Sequence, residues 1–233
     1  MAEQSTFSLE SIDTDAATLV GLVIALCGLS VLQALGSAVL PGGEFRQLVV
    51  NDLGVKWFVT GLLVALVLYW EGRGLDSIGL GGLGWRDVAA AVLVFVLGAA
   101  SYVVTTPLLA ALGFETTVSG IETLARLPVA LLIALSLTAA VTEEVLYRGY
   151  PIERLAELTG SVWVGAGLTF LVFTAVHLPF WGVGGTLQIG VNALLLTLLY
   201  VWRRNLGACI LAHAINDLYA FVIIPRFLMQ YVG

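Results

Sequence analysis

The stretch "LTGSVWVGAGLTFLVFTAVHLPFWGVGGTLQIGVNALLLTLLYVW", Leu158–Trp202, holds no Asp, Glu, Lys or Arg in 45 residues. A helix crosses a bilayer with about 20 mostly apolar residues at 1.5 Å each, so this run is long enough for two crossings. Outward from it, residues 16–43 and 88–114 are also free of charge. Over the whole chain 59% of residues are hydrophobic and 11% are charged, where a soluble domain carries roughly 25%. Mean hydropathy is +1.00. These runs predict an all-α, polytopic integral membrane bundle of about seven to eight transmembrane helices. The spans fall near 16–40, 55–70, 87–113, 127–150, 161–178, 183–202 and 206–232.

The segments between them are punctuated by glycine and charge, as in "PGGEFRQLVVND" and "EGRGLDSIGLGGLGWRD", and read as loops. Pro107 and Pro225 lie inside spans, where each is expected to kink or divide a helix. Residues 1–15 read as a solvated acidic tail, since they carry acids and no basic residue and so lack the start of a signal peptide. Residues 16–233 then form a single transmembrane domain, expected to be multi-pass and, in a prokaryote, in the cell membrane. Cys27 and Cys209 both lie in apolar runs with no CxxC spacing and read as packing residues. Trp163, Trp181 and Trp202, near predicted span ends, read as interface anchors.

Net charge is −6, with a single lysine, Lys56. No basic stripe exists to neutralise phosphates, so nucleic acid is not expected as a partner. Membrane lipid is. An N-terminus on the inner side collects Arg73, Arg86, Arg148, Arg154, Arg203 and Arg204 there, against Arg46, Lys56, Arg126 and Arg226 opposite. Nothing in the sequence sets the oligomeric state.

Against this background three polar islands stand out. "AAVTEEVLYRGY", 139–150, places Glu143, Glu144 and Arg148 after sixteen uncharged residues. The plain reading is a helix ending in water, with Glu144 and Arg148 as an i,i+4 pair worth about 0.2–0.5 kcal/mol. The other reading is function, because a charge at the bilayer centre costs roughly 2.5–3.5 kcal/mol. The two histidines, His177 and His213, each sit in an apolar stretch. Either alone reads as a hydrogen-bonded packing residue. Phe173 shares a helical face with His177, and Asp217 shares one with His213, with Asn216 adjacent.

Three such islands on separate spans point to one polar site in the core of the bundle. A carboxylate in a low-dielectric cavity can act as a general base, and two carboxylates divide the protonation states between them. Arg148 can clamp one of the pair. Asp217 can fix the tautomer of His213. These parts suit addition of water to a carbonyl. Two His and a Glu are also the ligand set of several hydrolytic zinc sites, although HExxH is absent. No serine sits in a GxSxG elbow. A rival reading gives the same cluster a non-proteolytic role, binding a proton or metal in a transporter or immunity scaffold.

Taken in order, "EEVLYR", "FTAVH" and "HAIND" resemble the Glu-Glu-x-x-x-Arg, Phe-x-x-x-His and His-x-x-x-Asn/Asp motifs of the CPBP family. That family comprises CAAX prenyl proteases of the Ras-converting type and bacterial Abi, or bacteriocin-processing, proteins. The resemblance covers roughly 143–217. It implies an intramembrane glutamate protease with no cofactor, acting near the C-terminus of a prenylated or other membrane-associated peptide or protein. It implies that Glu143 and His177 activate water, that His213 and Asp217 stabilise the oxyanion, and that Glu144 and Arg148 support the base. Asp217 stands where eukaryotic CAAX proteases tend to have Asn. An ionised Asp accepts hydrogen bonds and cannot donate them.

Overall fold

The structure is a computed structural model that describes residues 9–39 and 49–228. Eight helices are present among them, and no strand. Helix α1 covers 9–39 and α2 covers 49–70, each with π-helical turns in it. A short 3-10 turn, Leu75–Ile78, precedes α3, Trp85–Ala111. The eight-residue α4, Thr117–Leu124, leads into α5, Val129–Thr159. Then come α6 (Val162–Val176), α7 (Leu178–Arg203) and α8 over 206–228. Six of the eight are long and apolar enough to cross a membrane, while α6, at 15 residues, is shorter. The expected acidic tail is helical from Leu9 onward, and residues 1–8 lie outside the described residues.

Helix α5 is the axis of the bundle. Half of its apolar window is buried, as is half of α7, against 17% of α3. It packs on α8, α6 and α2. Its length corrects the expected 127–150 span, because the chain stays helical through Pro151 to Thr159. The physical reason is a π turn at Val145–Gly149, closed by the Tyr150 N–H donating to the Val145 carbonyl. Pro151 therefore falls in the first turn of a new α segment, where a missing N–H costs nothing. Pro107 and Pro225 also lie inside continuous helices. Helix α7 does break, at Gly182 (φ 63°, ψ −175°), one residue before the expected start of that span.

One end of the bundle is laced by ion pairs. Arg154 and Glu71, both fully buried, meet at 2.6 Å, and Arg154 also donates to Ser77. Tyr150 donates to Glu71 at 2.7 Å, and Tyr200 to Glu153 at 2.7 Å. Arg204 pairs with Glu153, and Arg203 with Asp87 at 2.9 Å. Asp87 caps the N-terminus of α3 through the Gly84 N–H, and Asn205 caps α8 through the Ala208 N–H. At the other end Arg226 donates to the carbonyls of Ala125 and Leu127.

The start of α8 sets the depth of the site. Leu206 donates its N–H to the Gly79 carbonyl at 2.7 Å, and its side chain lies against Gly149. Helix α8 thus begins level with Gly149, about 15 Å inside the end of α5 at 1.5 Å per residue. From that level Glu143 is about 9 Å along α5 and His213 about 10 Å along α8. Two motifs that appear offset in the sequence are brought to one depth.

Candidate active site

Glu143 and Glu144 are consecutive on α5, so they point about 100° apart and meet different neighbours. Glu143 accepts from Lys56 of α2, Nζ to Oε1, at 2.7 Å. Glu144, fully buried, accepts through its Oε1 from Arg148 at 2.9 Å and faces His213 Nδ1 at 2.7 Å. Its Oε2 has no partner. Asp217 Oδ2 lies 3.5 Å from His213 Nε2, and Glu143 Oε2 lies 4.0 Å from the same nitrogen. His213 is therefore surrounded by three carboxylates. Asn216, half-buried, donates to Asp217 at 3.4 Å.

Phe173 organises the remaining members. The Arg148 guanidinium lies over its ring at 3.9 Å, a desolvated cation–π contact worth about 2 kcal/mol. Tyr147 packs edge-on to the same ring, centroids 5.2 Å apart, and His177 tilts against it at 4.5 Å. The Phe173 carbonyl meets His177 Nδ1 at 2.7 Å. A carbonyl can only accept, so Nδ1 carries the hydrogen and Nε2 keeps a lone pair. His177 sits between α6 and α7, where the chain ends one helix and begins the next.

Glu143, His177, His213, Asn216 and Asp217 all line a cavity of about 630 Å³. The expected residues are thus gathered in one place, with Glu144 and Arg148 buried directly behind them. Three other residues at the cavity were not singled out in the sequence. Lys56, expected in a solvated position, is buried, and Asp52 lies 3.6 Å from it on the same helix. Tyr147 is 1% exposed, and its hydroxyl has no partner. The available signals were that Lys56 is the single lysine, four residues after Asp52, and that Tyr147 is four residues after Glu143. Trp181 corrects an expectation: it stacks on Phe221 with centroids 6.2 Å apart and lines the cavity, while Trp163 and Trp202 are exposed.

Among the described residues no group of three His, Cys, Asp or Glu side chains is arranged to hold a metal ion. Cys209 is buried, with its thiol toward the Leu196 carbonyl at 3.7 Å.

The motif-bearing segment has a counterpart among known proteins. Residues 125–219 match the Rce1-like family model, type II CAAX prenyl endopeptidase Rce1-like. No curated protein and no solved structure matches the chain.

Proposed function

We propose, from the match of residues 125–219 to the family model of Rce1-like type II CAAX prenyl endopeptidases, that the chain is an intramembrane endopeptidase. It hydrolyses a peptide bond near the C-terminus of a prenylated or other membrane-associated substrate. The observation that carries this reading is the meeting of Glu143 and His177 at one cavity. They come from helices far apart in sequence, and each keeps a free acceptor: Glu143 its Oε2, His177 its Nε2. A water held between two acceptors can give its proton to Glu143 as its oxygen attacks the scissile carbonyl. The C–N bond then breaks, and the proton passes from Glu143 to the leaving amine. Water and peptide balance to an acid and an amine, with no covalent enzyme intermediate.

The other members support this step. Arg148 neutralises Glu144, and Glu144 holds His213 with Asp217 on its far side. That arrangement fixes the imidazole beside Glu143 while keeping α5 and α8 in register. The cavity walls are otherwise largely apolar and aromatic, with Tyr102, Phe180, Trp181 and Phe221 among them, which suits a lipidated peptide.

The test is cleavage of a farnesylated CAAX-type peptide by the purified protein in detergent or bilayer, with Glu143→Gln alongside and with chelators added. Turnover that survives chelation and vanishes in the variant supports the reading. Turnover abolished by chelation replaces activation by Glu143 and His177 with a metal-bound water. A fully folded protein that cleaves neither farnesylated nor unmodified peptides overturns the peptidase assignment.

A further inference from the structure

Glu143 leans on a side chain that belongs to none of the three polar motifs. Lys56 of α2 donates from Nζ to Glu143 Oε1 at 2.7 Å, and both residues are buried. The other carboxylate oxygen, Oε2, lies 4.0 Å from His213 Nε2, beyond hydrogen-bonding range, and Glu143 lines the cavity. One oxygen is thus held, and the other is left to the cavity.

The ammonium is itself seated. Asp52, four residues earlier on α2, forms an ion pair with it at 3.6 Å. Among the described residues Lys56 is the one lysine or arginine lining a cavity that also holds Asp52, Glu143 and Asp217. Without it, those three carboxylates would have only the imidazoles of His177 and His213 to balance them. A buried charge is costly unless it is paired. Lys56 also opens the α segment that follows the π turns of Val49–Val55, and Glu143 lies just before those of Val145–Gly149. Such turns are frequent at functional sites.

A plain clamp between α2 and α5 is the rival task for the pair. Those helices are already fastened, because Trp57 donates from Nε1 to Thr138 Oγ1 at 3.0 Å, and Val59 and Leu63 of α2 lie in the core. A buried ion pair adds little net stability, since taking two charges out of water offsets their attraction. What the lysine does add is a fixed direction for one carboxylate.

Resting on the peptidase reading, we propose that Lys56 is the positioning residue of Glu143. Its ammonium holds Oε1 and balances the carboxylate's charge, which fixes Oε2 as the atom that takes the water's proton. That proton passes from water to Oε2 and then to the leaving amine, while Lys56 keeps all three of its hydrogens. Lys56 acts through Glu143 alone.

The test is a double-mutant cycle on cleavage of a farnesylated CAAX-type peptide, with rates expressed per folded molecule. Lys56→Met keeps an unbranched stem and removes the charge. It is expected to lower kcat about 10–10²-fold, the cost of a base displaced by about 1 Å, with KM within threefold. Glu143→Gln combined with Lys56→Met is expected to turn over within threefold of Glu143→Gln alone, since a residue that acts only through the base then has nothing to position. Should Lys56→Met fail to fold, Lys56→Gln, shorter and uncharged, carries the same cycle with the same expectations. Wild-type kcat in the folded lysine variant would overturn the assignment and make the pair a clamp. A rise in KM with kcat unchanged would overturn it by making Lys56 a substrate anchor. A double variant more than threefold slower than Glu143→Gln would overturn it by giving Lys56 a part of its own in turnover. Each of these outcomes, beside an active wild type and a crippled Glu143→Gln, leaves the peptidase reading standing. A folded wild type that cleaves no peptide overturns both.

Discussion

Replacing Glu143 by Gln removes the carboxylate proposed to take the water's proton and leaves the Lys56 ammonium with Asp52 at 3.6 Å as its remaining charged partner. The expected result is a folded protein whose turnover is about 10²–10⁴-fold lower, the range of a lost general base, measured by cleavage of a farnesylated peptide. Arg148 tests a different property, planarity. Arg148→Lys keeps the charge but cannot lie flat over Phe173 while donating to Glu144 and to the Ala193 carbonyl. A loss of about 1–3 kcal/mol, the cost of a buried hydrogen-bonding group left unpaired, is expected as a lowered unfolding midpoint in detergent. An unchanged midpoint would show that the charge alone suffices. The residues of the two histidine motifs and of the Glu-Glu-x-x-x-Arg motif were legible because ionisable groups in apolar runs are conspicuous. Lys56 was not, since it lies near the edge of a span, where a lysine ordinarily reaches water. Tyr147 was hidden because a tyrosine among apolar residues looks like packing until its hydroxyl is found without a partner.

Among the helices, α5 and α8 carry the largest share of the site, and their separation is set where Gly149 meets Leu206. A methyl group on residue 149 would lie 2.8 Å from Leu206 and 2.9 Å from the Ile78 carbonyl. Gly149→Ala must therefore displace the Ile78 carbonyl and turn the Leu206 side chain, and is expected to loosen the start of α8 against α5 and draw His213 from Glu144. A destabilisation of about 1–3 kcal/mol is expected, together with a fall in kcat larger than the lost folded fraction explains. If kcat per folded molecule is unchanged, the register of the two helices does not govern the site. Hydropathy located these helices well, because each expected span coincides with one of them. It misjudged the end of α5, since a proline ordinarily stops a helix and nothing in "VLYRGYP" announces the π turn that admits it. The depth match of Glu143 and His213 was equally out of reach, because it depends on a contact between residues 79 and 206.

Across the whole molecule the charges divide by end. Arg148 and Lys56 belong to the buried site, which removes them from the count of loop charges. Arg73, Arg154, Arg203 and Arg204 gather at the laced end, where Tyr150 also meets the Thr18 carbonyl near the start of α1, while Arg126 and Arg226 lie opposite. The excess of arginine predicts that the laced end and the start of α1 face the cytoplasm. In a Cys27→Ser background, a cysteine replacing Gly81 is expected to label from the cytoplasmic side and one replacing Glu115 from the other; the reverse pattern would invert the assignment. Arg154→Met is expected to cost about 3–5 kcal/mol while leaving kcat per folded molecule unchanged, since Arg154 lies about 16 Å along α5 from Glu143. Among the described residues the dense ion-pair lacing lies at one end, which predicts that the bundle hinges like a clothes-peg. The spring is the ion-paired cluster around Glu71, Arg154 and Glu153, and the jaws are the opposite helix ends, where Arg226 grips two carbonyls. Opening of the jaws would leave that pivot undisturbed. Hydrogen exchange should therefore be fast in 117–127 and slow in 150–157, and equal rates would mean that the peg does not hinge.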